Sequence, residues 1–184
     1  MLGLNGNGQI GDNTTNTATV PVTPMNIGPV RSVSMRDLTT CAVDLAGDVW
    51  CWGRNDLGQA GIGTFQTSVL VPTRVQTATG LLGGANLVAN GIDHSCAIVS
   101  GEVWCWGTNS DGQLGDNSGG MRNVAAKSAT GLTGVVELVA AAYTTCAANA
   151  DGDVWCWGRG TDGQIGDGQF ISQPLPSLVF DACP

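Results

Sequence analysis

The chain has 184 residues, enough for one ordinary domain, and its 28 glycines set against 12% charged and 5% aromatic residues point to turns and short strands. Its net charge of −8 would repel the phosphates of nucleic acid and the anionic leaflet of a membrane, so nucleic acid is excluded as an expected partner. The longest apolar stretch, Val135 to Ala142, is interrupted by Glu137 and falls short of the roughly 20 residues a helical span needs, so membrane insertion is not expected.

The first residues, Met1-Leu2-Gly3-Leu4-Asn5, lack the basic region and apolar core of a secretory signal. Gly6-Asn7-Gly8-Gln9-Ile10-Gly11 spells a dinucleotide fingerprint, but that pattern carries meaning only between a strand and a helix, and Asp56, Ser110 and Thr161 stand at the place of Gly6 in later copies. The polar stretch Asp12 to Thr19 reads as a loop, and its Asn13-Thr14-Thr15 is an N-glycosylation acceptor sequence.

Three hairpins follow. They are Cys41-Ala-Val-Asp-Leu-Ala-Gly-Asp-Val-Trp-Cys-Trp-Gly53, Cys96-Ala-Ile-Val-Ser-Gly-Glu-Val-Trp-Cys-Trp-Gly107 and Cys146-Ala-Ala-Asn-Ala-Asp-Gly-Asp-Val-Trp-Cys-Trp-Gly158, and together they contain all 6 tryptophans. In the middle copy Ser100-Gly101 suits a two-residue turn. The others carry Leu45-Ala46-Gly47 and Ala150-Asp151-Gly152, where a three-residue loop wants glycine in its third place. Counting outward from each turn sets Cys41 opposite Cys51, Cys96 opposite Cys105 and Cys146 opposite Cys156, at a spacing a disulfide can bridge. Zinc is the competing reading, yet no Cys-x-x-Cys knuckle occurs and there is 1 histidine, so disulfides are favoured, and with them an oxidising compartment. Alternation puts Trp50 and Trp52 on the face opposite Cys51, so both faces of that strand are expected to be buried between neighbouring sheets.

After each hairpin comes a Gly-Gln-x-Gly step, at Gly58, Gly112 and Gly163, with an earlier copy at Gly8. The period of about fifty residues suits a four-stranded propeller blade. Asp12, Asp116 and Asp167 follow the step at one offset and offer hard oxygen ligands, which makes them weak candidates for calcium; Gly61-Ile62 lacks the carboxylate, and a turn role competes. His94 has Thr39 and Thr144 as its repeat equivalents, which argues against a catalytic role.

Cys-Ala, then Gly-Asp-Val-Trp-Cys-Trp-Gly, then Asn-x-x-Gly-Gln-x-Gly, resembles the regulator of chromosome condensation repeat. The pattern Trp52-Gly53-Arg54-Asn55-Asp56-Leu57-Gly58-Gln59 carries it and recurs from Trp106 to Gln113; the fourth copy departs, with Gly160 in place of the asparagine. The resemblance implies a propeller, usually of seven blades, and family members that include nuclear guanine-nucleotide exchange factors and secreted β-lactamase inhibitors.

The expected fold is therefore all-β, a β-propeller of four-stranded blades that is incomplete in this chain, about three and a half repeats. Residues 1–40 hold the second half of a repeat plus a linker strand, and repeats span 41–95, 96–145 and 146–184. A fragment of a longer polypeptide is the favoured account of the open ends, self-association is the second, and an unusual smaller closure is the third. Cys183, outside the hairpin pattern, is a candidate for an unpaired or intermolecular thiol. The functional expectation is a non-catalytic extracellular or cell-surface module that binds a protein partner or copies of itself and needs no cofactor. A regulatory propeller acting as inhibitor or exchange-factor-like binder is the alternative, and a secreted hydrolase with a loop-borne site is a third, though no nucleophile elbow or carboxylate pair is visible.

Overall fold

The computed structural model describes residues 1–128 and 132–181, and among them none is helical. Cys183 lies outside the described residues.

Residues 1–29 form loops with one isolated antiparallel bridge, Gly3 to Ala18. The first sheet follows as a meander of β1 (Val30–Arg36), β2 (Thr39–Asp44), β3 (Val49–Arg54) and β4 (Ser68–Arg74). A small hairpin, β5 (Gln76–Thr77) and β6 (Gly80–Leu81), leads to the second sheet of β7 (Ala85–Asn90), β8 (His94–Val99), β9 (Glu102–Gly107) and β10 (Arg122–Lys127), to which β5 attaches by the parallel pair Ala125 and Thr77. The third sheet is β11 (Val135–Ala141), β12 (Thr144–Asn149), β13 (Val154–Gly158) and β14 (Gln173–Phe180). Each sheet is a blade, and the blades stack face to face with β1 against β7 and β7 against β11. A blade thus begins one strand before the cysteine that opens each hairpin in the sequence.

Local chemistry fixes each hairpin. Ser100 and Gly101 both take left-handed backbone (φ 52° and 78°), as a two-residue turn between Val99 and Glu102 requires. In the first blade the Asp44 amide donates to the Asp48 carbonyl and Gly47 (φ 90°) closes a three-residue loop; Asn149, Gly152 and Asp153 repeat this in the third. These turns set the register in which Cys41 pairs with Cys51, Cys96 with Cys105 and Cys146 with Cys156, each pair disulfide-bonded with Cα atoms 4.1 Å apart. Closing loops of this length stabilises the fold by roughly 2–3 kcal/mol each.

The core lies between blades. One cluster joins the first two blades through Trp52, Val43, Val49 and Trp106, and another joins the second and third through Ile98, Val103, Leu138 and Trp157. The two tryptophans of each hairpin are not equivalent. Trp52, Trp106 and Trp157 are fully buried, whereas Trp50, Trp104 and Trp155 are half-buried.

Each fully buried indole crosses to the preceding Gly-Gln-x-Gly step. Trp52 Nε1 donates to the Gln9 carbonyl at 2.9 Å, Trp106 to Gln59 at 2.9 Å and Trp157 to Gln113 at 3.0 Å. The same carbonyls accept the hydroxyls of Thr40, Ser95 and Thr145. The second glycine of the step lies under the ring: a Cβ on Gly61 would sit 2.7 Å from Trp106 Cδ1, and one on Gly115 would sit 2.7 Å from Trp157 Nε1. A Cβ on Gly166, the last copy, meets nothing within 4 Å.

Gly61 and Gly166 share left-handed backbone (φ 68° and 84°), so the cost of an alanine differs between them only by the indole contact. Gly166→Ala should cost about 1 kcal/mol from backbone strain alone. Gly61→Ala should cost about 1–3 kcal/mol more, through overpacking against Trp106. Urea unfolding of the two variants checks this; equal losses would show that the indole does not bear on that glycine.

Candidate protein-binding face

The loops between the third and fourth strands of each blade, and the loop of residues 5–12 ahead of the first blade, carry the repeat's polar motif, and its side chains are consumed in shaping them. Asn5, Asn55 and Asn109 are buried, and each side-chain oxygen accepts a backbone N–H five residues on, from Ile10, Ala60 and Leu114 at 2.9–3.0 Å. The side-chain oxygens of Gln9, Gln59, Gln113 and Gln164 accept the amides of Asn7, Leu57, Asp111 and Asp162. In the fourth copy the Ile171 carbonyl lies 2.0 Å from where a Cβ on Gly160 would be, which leaves no room for the asparagine.

The weak calcium candidates sit on three separate loops as turn-forming carboxylates. Asp12 Oδ1 accepts from Asn5 and from the amide and hydroxyl of Thr14, and these bonds, the hydroxyl first, hold its pKa below the usual range. Asp116 accepts from Asn109, Ser118 and Arg122; burial pushes its pKa up, but the bonds from Ser118 and the Arg122 guanidinium outweigh it and leave it lowered. Asp167 accepts from the Gln169 amide and the Gln173 side chain. Among the described residues no three His, Cys, Asp or Glu side chains are gathered as a metal site. Asn13 is exposed at the tip of its loop with φ 63°.

What these loops leave for recognition is apolar. Phe65, Met121, Phe170 and Ile171 stand on the loops of successive blades at 48%, 52%, 73% and 56% exposure. Composition hides these tips, because the stretches around them are rich in Gly, Thr, Ser, Asn and Gln. A signal was available, since the chain has 3 phenylalanines and two of them fall in otherwise polar stretches.

His94 is buried at an interface of the second and third blades, with Nε2 2.9 Å from Thr145 Oγ1. The Thr145 hydroxyl donates to the Gln113 carbonyl, so Nε2 must carry the proton and donate in turn. Nδ1 has no partner among the described residues, and burial lowers the imidazole pKa to about 4. Beside the first two blades, Arg54 bonds to Asp93 at 3.1 Å and to Asp56 at 2.7 Å; burial nevertheless raises the pKa of Asp93.

The histidine gives a pH signature. Its folded pKa of about 4 lies below the ordinary 6.5, so the unfolded chain binds the extra proton between these values. Its contribution is complete above pH 6.5 and is lost as pH falls toward 4, by up to about 3 kcal/mol at 1.4 kcal/mol per unit. Replacing it as His94→Thr, the residue type of the other two repeats, should flatten stability against pH in that window. Urea midpoints at half-unit steps check the slope; an unchanged slope would place the titrating group elsewhere.

Comparison with known proteins gives this architecture its relatives. Two family models, each described as a Regulator of chromosome condensation (RCC1) repeat, match residues 46–98 with 151–182 and residues 30–59 with 135–164. The chain is 27% identical over 159 residues to the Ultraviolet-B receptor UVR8 of Arabidopsis thaliana, covering 85% of this chain and 36% of that protein. It is 32% identical over 143 residues to the probable E3 ubiquitin-protein ligase HERC4 of Homo sapiens, covering 76% of this chain and 13% of that one. Among solved structures, human WBSCR16 superposes with a TM-score of 0.77 at 23% identity, and Prp20p of Saccharomyces cerevisiae with 0.79 at 18%. They cover 95% and 96% of this chain but 45% of each of those. The chain thus spans less than half the length of these relatives, and its blades form an incomplete propeller. With its hairpins, Gly-Gln steps and stacked sheets all accounted for, the chain belongs to the regulator of chromosome condensation repeat family.

Proposed function

We propose that this chain is a non-catalytic protein-binding module of an extracellular or cell-surface protein, with the third-to-fourth-strand loops as its recognition face. The observation that carries the reading is the division of labour in those loops. Every recurring polar side chain is engaged in backbone hydrogen bonds, while the tips differ between blades and expose Phe65, Met121, Phe170 and Ile171. Exposed aromatic and methionine side chains on a rigid frame are what protein interfaces favour. The charge of −8 supports a protein partner over nucleic acid.

Export is supported by a disulfide in each of the three blades, a usage suited to oxidising compartments. A regulatory binder is the second reading. It is favoured by the likeness to Prp20p, whose structure was described together with its binding properties to Gsp1p and histones.

Two measurements test the proposal. In intact source cells, a membrane-impermeant alkylating reagent applied before and after reduction should label the six hairpin cysteines only after reduction. No labelling under either condition would place the protein inside the cell, and labelling without reductant would show an exported protein whose hairpin thiols are unpaired. Phe65→Ser and Phe170→Ser should each change unfolding free energy by no more than about 0.5 kcal/mol, as exposed substitutions do. The same changes should weaken a partner captured by surface crosslinking about tenfold or more. A partner that binds both variants unchanged would move recognition off this face.

A further inference from the structure

Residues 12–15 divide into two that shape their loop and two that leave it. Asp12 and Thr14 are tied inward: the Thr14 hydroxyl and amide both donate to Asp12 Oδ1, and Asn5 Nδ2 donates to the Thr14 carbonyl. Asn13 and Thr15 are exposed, and neither side chain makes a hydrogen bond among the described residues. The Asn13 backbone N–H donates to the Leu70 carbonyl at 3.0 Å, which pins the loop to β4 while the side-chain amide stays free.

Backbone geometry by itself accounts for an asparagine at position 13. The same offset after the Gly-Gln step holds Gly63, Asn117 and Gly168, and all four are left-handed, with φ of 63° at Asn13 and 82°, 56° and 78° at the others. Glycine and asparagine are the residues that accept such backbone. Geometry does not account for the hydroxyl two residues on. Thr15 stands where the other copies have Phe65, Gly119 and Phe170, and Asn13 is the only asparagine of the sequence followed at that distance by serine or threonine. Its exposure belongs to the repeat: Asn117 is exposed as well, on the second blade with the first and third on either side.

We propose that Asn13 carries an N-linked glycan, which borders the recognition face at the loop ahead of the first blade. The donor is an oligosaccharide held on a lipid pyrophosphate. Asn13 Nδ2 bonds to the anomeric carbon of its first sugar, the bond from that carbon to the pyrophosphate oxygen breaks, the lipid pyrophosphate leaves with the electron pair, and the amide gives up one proton. The Thr15 hydroxyl is the second half of the acceptor signal. The sugar stands on the loop whose copies expose Phe65 and Phe170, so a protein partner meets apolar tips on the blades and carbohydrate beside them. This inference rests on the export reading above and adds to it a modification of the recognition face.

Protein recovered from its source cells should lose mass in a single step on digestion with a glycan-releasing amidase, and peptide mass mapping should then find aspartate in place of Asn13. Produced in the same cells, Asn13→Gly, which keeps the backbone of Gly63 and Gly168, and Thr15→Ala, which keeps the amide, should each abolish that step, whereas Thr15→Ser should retain it. Gly119→Thr should add a second glycan, at Asn117, since a Cβ at position 119 meets nothing within 4 Å. Unmodified Asn13, or a glycan that survives Thr15→Ala, would overturn the proposal. If the hairpin cysteines of such a chain label only after reduction, the export reading stands without the glycan. Cysteines that label under neither condition place the chain inside the cell, and both readings fall together.

Discussion

One backbone carbonyl per repeat holds this architecture together. The oxygens of Gln9, Gln59 and Gln113 each receive an indole N–H and a hydroxyl from the following blade. A buried carbonyl has two lone pairs, and here both are used by the neighbour and none by its own sheet. The bond therefore works only if the loop bearing the carbonyl is held still. That is the task of the asparagine and glutamine side chains, which bind amides inside the loop, and of the glycine that lets the ring approach. The repeat motif is in this sense one device spread over two blades, with its socket on one and its plug on the next.

Because the apolar clusters lie between sheets, no blade owns a complete core. The first cluster draws on the first and second blades, the second on the second and third. Burial then follows position in the array. Cys41 and Cys96 are fully buried under a following blade, while their counterpart Cys146, with no blade above it among the described residues, is half-buried. Such nearest-neighbour stability is the general property of repeat arrays.

Features determined within about a dozen residues were readable in the sequence. The turns of Ser100-Gly101 and Leu45-Ala46-Gly47 fix their own geometry, and once they do, the cross-strand position of each cysteine follows by counting. Burial of tryptophan between sheets was also readable from alternation. The inequivalence of Trp50 and Trp52 was not, since it depends on a carbonyl more than forty residues away in the chain. Nor was the role of His94, which comes from Thr145 on the next blade. The polar composition of the loops concealed Phe65 and Phe170, because averaging over a segment erases single residues. Gly160 shows the reverse case: its departure from the repeat was visible at once, while the cause, the Ile171 carbonyl lying over it, required three dimensions.

The hairpin disulfides have a mechanical corollary. They bridge separations of 10, 9 and 10 residues, so a pull applied to the two termini cannot straighten those segments while the sulfurs remain joined. About 100 Å of contour is thereby withheld from extension. Under tension the blades would peel from one another before any hairpin unzipped, and the paired inner strands would survive as intact staples along a partly stretched tether.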